Sequence, residues 1–345
     1  MPGRKPLQRI QLGRETTPGT PVVATARMRF NGGTLEDARK LEFPPETIGI
    51  FDGADRSVIT MVDAALSIAD TPIQPEQLPY LIAMLYGGPI AGSADGTASS
   101  GYRYTTNIPT TAAPTNNYAY TLEGGDDYEV ERATYTKMTK LTLKGSAGKV
   151  CQMSGDLIAQ SVTRFGSAFT ATTLIDPNDL IFGASRLYLD AIGSIGTTQI
   201  TSQFLGFEIN FEGMWEKKYT GEGATQPIWT FVVFVDKKVT GKITLEHDAA
   251  VDGNTGAKAQ FRAQTPRALR IDMLGQSYAT PGTGTLFTGG RRGVQINLPI
   301  KWSKPGALED QNKNDIITME FESKYNTTFG SAGSIIVCNE VSTLP

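Results

Sequence analysis

Histidine is almost missing from this chain: His247 is the only one in 345 residues, and cysteine is limited to Cys151 and Cys338. One imidazole has to serve every histidine-dependent mechanism, and zinc sites of the usual ligand sets need more His and Cys than are present. His247 closes a strand-like run on the face of Ile243 and Leu245, which suits a strand-end residue better than a base. The cysteines sit inside separate strand-like runs with no metal-ligand neighbour, so buried free thiols are expected rather than a disulfide. No excess of charge of either sign exists: 32 basic against 35 acidic residues leave a net charge of −3, without the polycationic footprint that grips nucleic acid. No run approaches the roughly 18 apolar residues of a membrane helix, and no signal-like block follows Met1-Pro2-Gly3-Arg4-Lys5. The expectation is a protein made and kept in the cytoplasm unless a larger assembly exports it, with no membrane partner.

Motifs of catalysis are equally scarce. There is no G-x-S-x-G elbow and no phosphate-cradling G-x-x-x-x-G-K-[ST] loop. Asp52-Gly53-Ala54 only faintly resembles an aspartic-protease triplet. Gly124-Gly125-Asp126-Asp127 is explained by a tight turn between strands; calcium at Asp126, Asp127 and Glu129 would lack the EF-hand spacing. The reading is a non-enzyme with no cofactor and no metal.

What is plentiful is turn and strand. With 37 glycines, 19 prolines and 39% hydrophobic residues the composition is globular and turn-rich, and 345 residues are comfortable for two domains. Across Tyr135–Val162, Leu141 and Leu143, then Cys151, Met153, Leu157 and Ala159, share one parity on either side of Gly145–Lys149, which predicts an antiparallel hairpin with one apolar face. Thr142, Lys144, Gln152 and Ser154 take the other face. Ile73–Tyr86, with Leu78, Leu81, Ile82 and Leu85 at helical spacing and Gly87-Gly88 after it, predicts the helix of the first half. Gly256–Gln264 predicts a shorter one in the second. Trp229–Val235 is apolar on both faces, so a strand covered on both sides is expected.

The order of strand, strands, helix, strand and hairpin then runs twice. Ser185–Leu189 stands against Ala26–Phe30, and Leu269–Gly275 after the second helix against Tyr118–Gly124 after the first. This predicts a duplication of about 160 residues, outside the range of short-period solenoids.

Leu7-Gln8-Arg9-Ile10-Gln11-Leu12-Gly13-Arg14-Glu15-Thr16-Thr17-Pro18-Gly19-Thr20-Pro21-Val22, followed by a strand with Asn31-Gly32-Gly33, resembles the N-terminus of tail tube proteins of long-tailed bacteriophages. Thr139–Leu143, its glycine loop and Met153–Ile158 resemble the same family. The resemblance implies a mainly β protein of two tandem tail-tube-type domains, each a β-sandwich or half-barrel with a flanking helix. It divides as an extended N-terminal arm at 1–20, domain one at 21–168, and domain two at 169–345 ending in a C-terminal arm. It also implies a structural virion protein whose copies form trimeric, pseudo-hexameric rings stacked into a hollow tail, first in the host cytoplasm and then in the virion. Its partners are then itself and the tail tip, tape measure and tail terminator proteins, with viral DNA passing without specific binding.

Ring stacking and inter-subunit contact are expected from three segments: the arm, with Arg9 and Arg14; the proline-interrupted loop Leu41–Arg56, with Phe43, Ile48, Ile50 and Phe51; and the C-terminal run, with Ile336 and Val337. The competing class is an all-β adhesin or carbohydrate-binding module, for which an export signal and clustered tryptophans would be expected. Trp215, Trp229 and Trp302 fall on separate runs.

Overall fold

The computed structural model describes residues 5–31, 35–51, 56–114, 116–166, 168–170, 172–221, 227–247, 256–311 and 313–344. The protein is mainly β, with two α-helices among the described residues and antiparallel pairing throughout its named strands. Arg4, Gly32, Gly33 and the Asp52-Gly53-Ala54 triplet lie outside the described residues.

Alternation sets the strands. β1 (Arg9–Arg14) pairs with β2 (Ala26–Met28) and with β9 (Tyr120–Gly125), and β9 pairs with the first part of β10 (Val130–Ser146), which β12 (Ser161–Gly166) flanks on its other side. The expected arm is therefore shorter than the sequence suggests. Ile10 and Leu12 bury their side chains, and Glu15 just beyond accepts the Tyr135 N–H at 2.8 Å and the Thr121 hydroxyl at 2.8 Å.

β10 belongs to two sheets. At Tyr135, whose φ is +52°, it turns out of the first sheet, and from Lys137 onward it pairs with β11 (Gln152–Ala159). β11 continues to β6 (Ala64–Pro72) and β3 (Leu35–Asp37). On its other side β10 pairs with β15 (Phe204–Lys218), followed by β16 (Phe231–Glu246), β19 (Asn314–Ser323) and the second part of β18 (Arg291–Gln311). An eight-strand sheet, β3-β6-β11-β10-β15-β16-β19-β18, thus runs through both halves of the chain.

β18 repeats what β10 does. Its first part lies between β17 (Arg267–Ser277) and β20 (Ser334–Asn339), and β17 pairs with β13 (Ser185–Ala191), which pairs with β14 (Gln199–Ile200). Strand for strand, β14-β13-β17-β18-β20 has the pairing of β2-β1-β9-β10-β12. Even the polar positions correspond. Glu123 lies between Gln11 and Arg132 on flanking strands, and Asp272 between Arg186 and Gln295. β20 is further covered by β8 (Tyr102–Asn107), itself edged by β7 (Ser93–Ala94).

The first helix is enclosed by the sheets, and the second is half-exposed. α1 (Leu78–Tyr86) is buried at every position and ends on Gly87 at φ +65°, whose N–H bonds Ala83 O at 3.0 Å. A Cβ at Gly87 would stand 2.4 Å from Asn116 O, so both its conformation and its neighbour demand glycine. α2 (Ala257–Arg262) takes the matching place after β16. One connected core joins Leu141, Ile209 and Phe211 of the shared sheet to α1 and to Ile271, Val294 and Phe321 of the second half. Cys151 and Cys338 are free and buried.

Candidate assembly surfaces

Three features of the large sheet could act outside the chain: its polar face, its two edges and the hairpin at one end. Residues of one parity on β10, β11, β15, β16 and β19 face the core, and the other parity presents Lys140, Lys144, Asp156, Glu208, Lys242 and Glu320 on the opposite face. Three of the cations there stand against carboxylates of the same face. Lys144 Nζ lies 2.6 Å from Asp70, Lys242 Nζ 3.0 Å from Glu208 and Lys304 Nζ 3.9 Å from Glu320. Hydroxyl and amide pairs, Thr142 to Asn210 at 2.7 Å and Thr244 with Thr318 at 3.1 Å, complete cross-strand ladders. Such a face is polar, and part of its charge is paired.

The edges are β3 and the second part of β18. Among the described residues no further strand pairs with the outer side of either. An unpaired edge is a template for another strand.

The hairpin is β4 (Lys40–Glu42) with β5 (Val58–Met61). Leu41, Phe43, Ile48, Ile50, Phe51, Val58 and Ile59 are all exposed along it, Phe43 by 71%. Four residues predicted for assembly, Phe43, Ile48, Ile50 and Phe51, therefore gather in one projecting segment. The others separate. Arg9 lies over the Phe169 ring at 5.6 Å and Arg14 over Tyr118 at 5.9 Å, both against their own chain. Ile336 is half-buried and Val337 is 1% exposed, because β20 is paired on both sides. The C-terminal run thus has the intramolecular place the sequence reading denied it; Tyr104, whose hydroxyl donates to Val341 O at 2.6 Å, helps to hold it.

The matching hairpin of the second half is the far end of β15 and β16, and the sequence reading missed its role. It docks on the first half. Trp229 is fully buried with its ring 4.5 Å from Tyr135, and its carbonyl accepts Gln160 Nε2 at 2.5 Å. Trp215 donates to Leu85 O at 3.2 Å and stands 5.1 Å from Phe234, which meets Tyr86 at 6.4 Å. Lys137 is buried beneath, its ammonium 4.5 Å over the Trp215 ring and donating to Tyr118 O. Burial lowers its pKa to about 7, against the opposing pull of Glu15. Glu15 itself is raised by burial, although Tyr135, Gly19 and Thr121 donate to it. Contrary to the expectation of cover on both faces, Phe231, Val233 and Val235 on β16 are exposed, since only the parity of Val232 and Phe234 meets the first half.

His247 follows β16 with its N–H on Asp315 O at 2.9 Å, and the Asp126 carboxylate is taken by the N–H groups of Tyr128 and Glu129 in the β9–β10 turn. Among the described residues no group of three or more His, Cys, Asp or Glu could hold a metal ion. No family model matches the chain, and no curated protein matches it by sequence.

Proposed function

We propose that this chain is the building block of a hollow tube of stacked rings, the tail tube of a long-tailed bacteriophage through which DNA passes. The observation that carries this is the eight-strand sheet. Four strands come from each half in the same pairing order, and the halves join edge to edge through β10 and β15. A second copy can extend the sheet by the same operation, β3 of one copy against the second part of β18 of the next, and closure of the ring satisfies every edge.

Two tandem domains per chain, as the repeated pairing suggests, make three copies a ring of pseudo-sixfold order. The polar face then lines the lumen. Three of its lysines, Lys144, Lys242 and Lys304, stand within 4 Å of carboxylates, which reduces the number of cations able to exchange their counterions for a passing phosphate backbone. Rings stack through the apolar projections Phe43, Ile48, Ile50 and Phe51 and through the exposed stripe Phe231, Val233 and Val235. Tail tip, tape measure and terminator proteins are the partners this role implies.

Negative-stain electron microscopy of the concentrated protein tests the proposal. Hollow tubes whose end-on views show three chains per ring are the expected result. Globular particles at every concentration, with and without a preformed tail tip as nucleus, would remove the tube, and sugar binding by the same sample would then point to the adhesin class.

A further inference from the structure

The two halves differ at one place where the repeat should make them alike. In the first half, the kink of β10 and the end of α1 hold the hairpin of the second half. In the second half, no described residue fills the corresponding place at the bulge of β18 and the end of α2, and a cavity of about 230 Å³ opens there, walled by Pro266, Lys301, Trp302, Lys324 and Tyr325.

The correspondence is residue by residue. On β10, Lys137 faces Ile158 and Met138 faces Leu157, then a bulge precedes Lys140 facing Asp156; on β18, Lys301 faces Glu322 and Trp302 faces Phe321, then a bulge precedes Lys304 facing Glu320. Lys301 is thus the counterpart of Lys137, which lies under Trp215. The hairpins match in the same way. Met214 faces Asp236, a bulge follows, then Trp215 faces Phe234 and Glu216 faces Val233; Lys40 faces Met61, a bulge follows, then Leu41 faces Ile59 and Glu42 faces Val58. Leu41 and Ile59 therefore occupy the positions of Trp215 and Phe234. Where Trp215 and Phe234 are packed against α1, Leu41 is 51% and Ile59 38% exposed.

We propose that the β4–β5 hairpin of a second copy docks in this cavity, with Leu41 and Ile59 entering beside Trp302 and α2, so that the junction inside the chain is repeated between chains. Such a contact is head-to-tail, each copy giving its hairpin to one neighbour and taking one from the other, which is what a closing ring requires. This inference rests on the ring reading above and adds to it a specific lateral contact. It gives Leu41 and Ile59 a place beside a neighbour in the same ring, leaving the hairpin's tip for the next ring.

The test is a cross-link in the full chain. With Cys151 and Cys338 buried, L41C/K301C should form disulfides between chains on mild oxidation, giving covalent dimers and trimers that neither single variant gives. In parallel, Leu41→Asp should weaken self-association by about tenfold or more, as expected for a charge placed at a contact centre. Its monomer should unfold at the parent temperature, since the residue is exposed. Rings in the microscope together with the cross-linked ladder support the contact. Rings without the ladder, or rings unaffected by Leu41→Asp, overturn it and leave the tube standing. Chains that neither assemble nor cross-link overturn both.

Discussion

The junction at β10 is closed and aromatic, and its counterpart at β18 is open and rimmed by charge. Trp215, Trp229 and Phe234 are large side chains with a guaranteed neighbour in the same chain. Leu41 and Ile59, in the matching positions, are smaller and exposed. The difference teaches that a contact closed within one chain can be wholly apolar, whereas the open site and the exposed hairpin carry smaller apolar groups among charges such as Lys40, Glu42, Lys301 and Lys324, the pattern that the proposed contact between chains would use.

The sharpest way to break the comparison is to empty the closed junction. Trp229→Ala removes a fully buried indole packed on Tyr135 and should cost about 3–5 kcal/mol of folding stability, read by denaturant unfolding. A loss below about 1 kcal/mol would mean that the second half's hairpin does not hold the halves together.

Lys137 provides a smaller, pH-dependent effect. Its folded pKa is lowered by burial to about 7 from the ordinary 10.5, so between these values the unfolded chain holds a proton that the folded chain has released. Stability should therefore rise with pH through that window, and the penalty is complete below about pH 7. Lys137→Met should flatten this slope and raise stability below the window by on the order of 1–3 kcal/mol, measured by unfolding at several pH values. An unchanged slope would show that the ammonium is solvated in the folded state.

Leu41→Trp sharpens the comparison in the other direction by copying the closed junction into the open one. Association should tighten several-fold, about 1 kcal/mol, in sedimentation or light scattering, while monomer stability stays the same. The smallest effect on stability belongs to the polar face. Glu208→Gln frees Lys242 from its 3.0 Å partner and should change folding stability by less than about 1 kcal/mol. Assembled tubes of this variant should bind DNA more strongly at low salt than parent tubes, and equal binding would argue against that face lining the lumen.

Much of the local structure could be read from the chain. The Tyr135–Val162 hairpin, with Leu141, Leu143, Met153 and Leu157 inward, is present, and the first helix ends at Gly87, because alternation and a left-handed glycine act over a few residues. The exposure of the apolar residues after Leu41 follows from the sequence too, since Pro44-Pro45 disqualifies a central strand. Partners distant in sequence were not. Arg9–Arg14 carries the basic residues and nearby prolines of an arm, yet β9, more than a hundred residues away, gives it a place in a sheet. Val337 in the C-terminal run has its neighbours in β8 and β18, and Trp229–Val235 keeps one apolar face uncovered because only its other face meets the first half.

By itself the sequence determined the β class and the places of the helices at Leu78–Tyr86 and Ala257–Arg262, because periodicity and turn chemistry are properties of neighbouring residues. Only the tertiary structure decided that β10 and β18 each serve two sheets and that one sheet spans both halves. It also decided that one of two equivalent junctions is filled and the other open. Those facts depend on strand edges meeting across long stretches of chain, and an edge's hydrogen-bonding groups are the same for every residue, so no local pattern names the strand that will satisfy them.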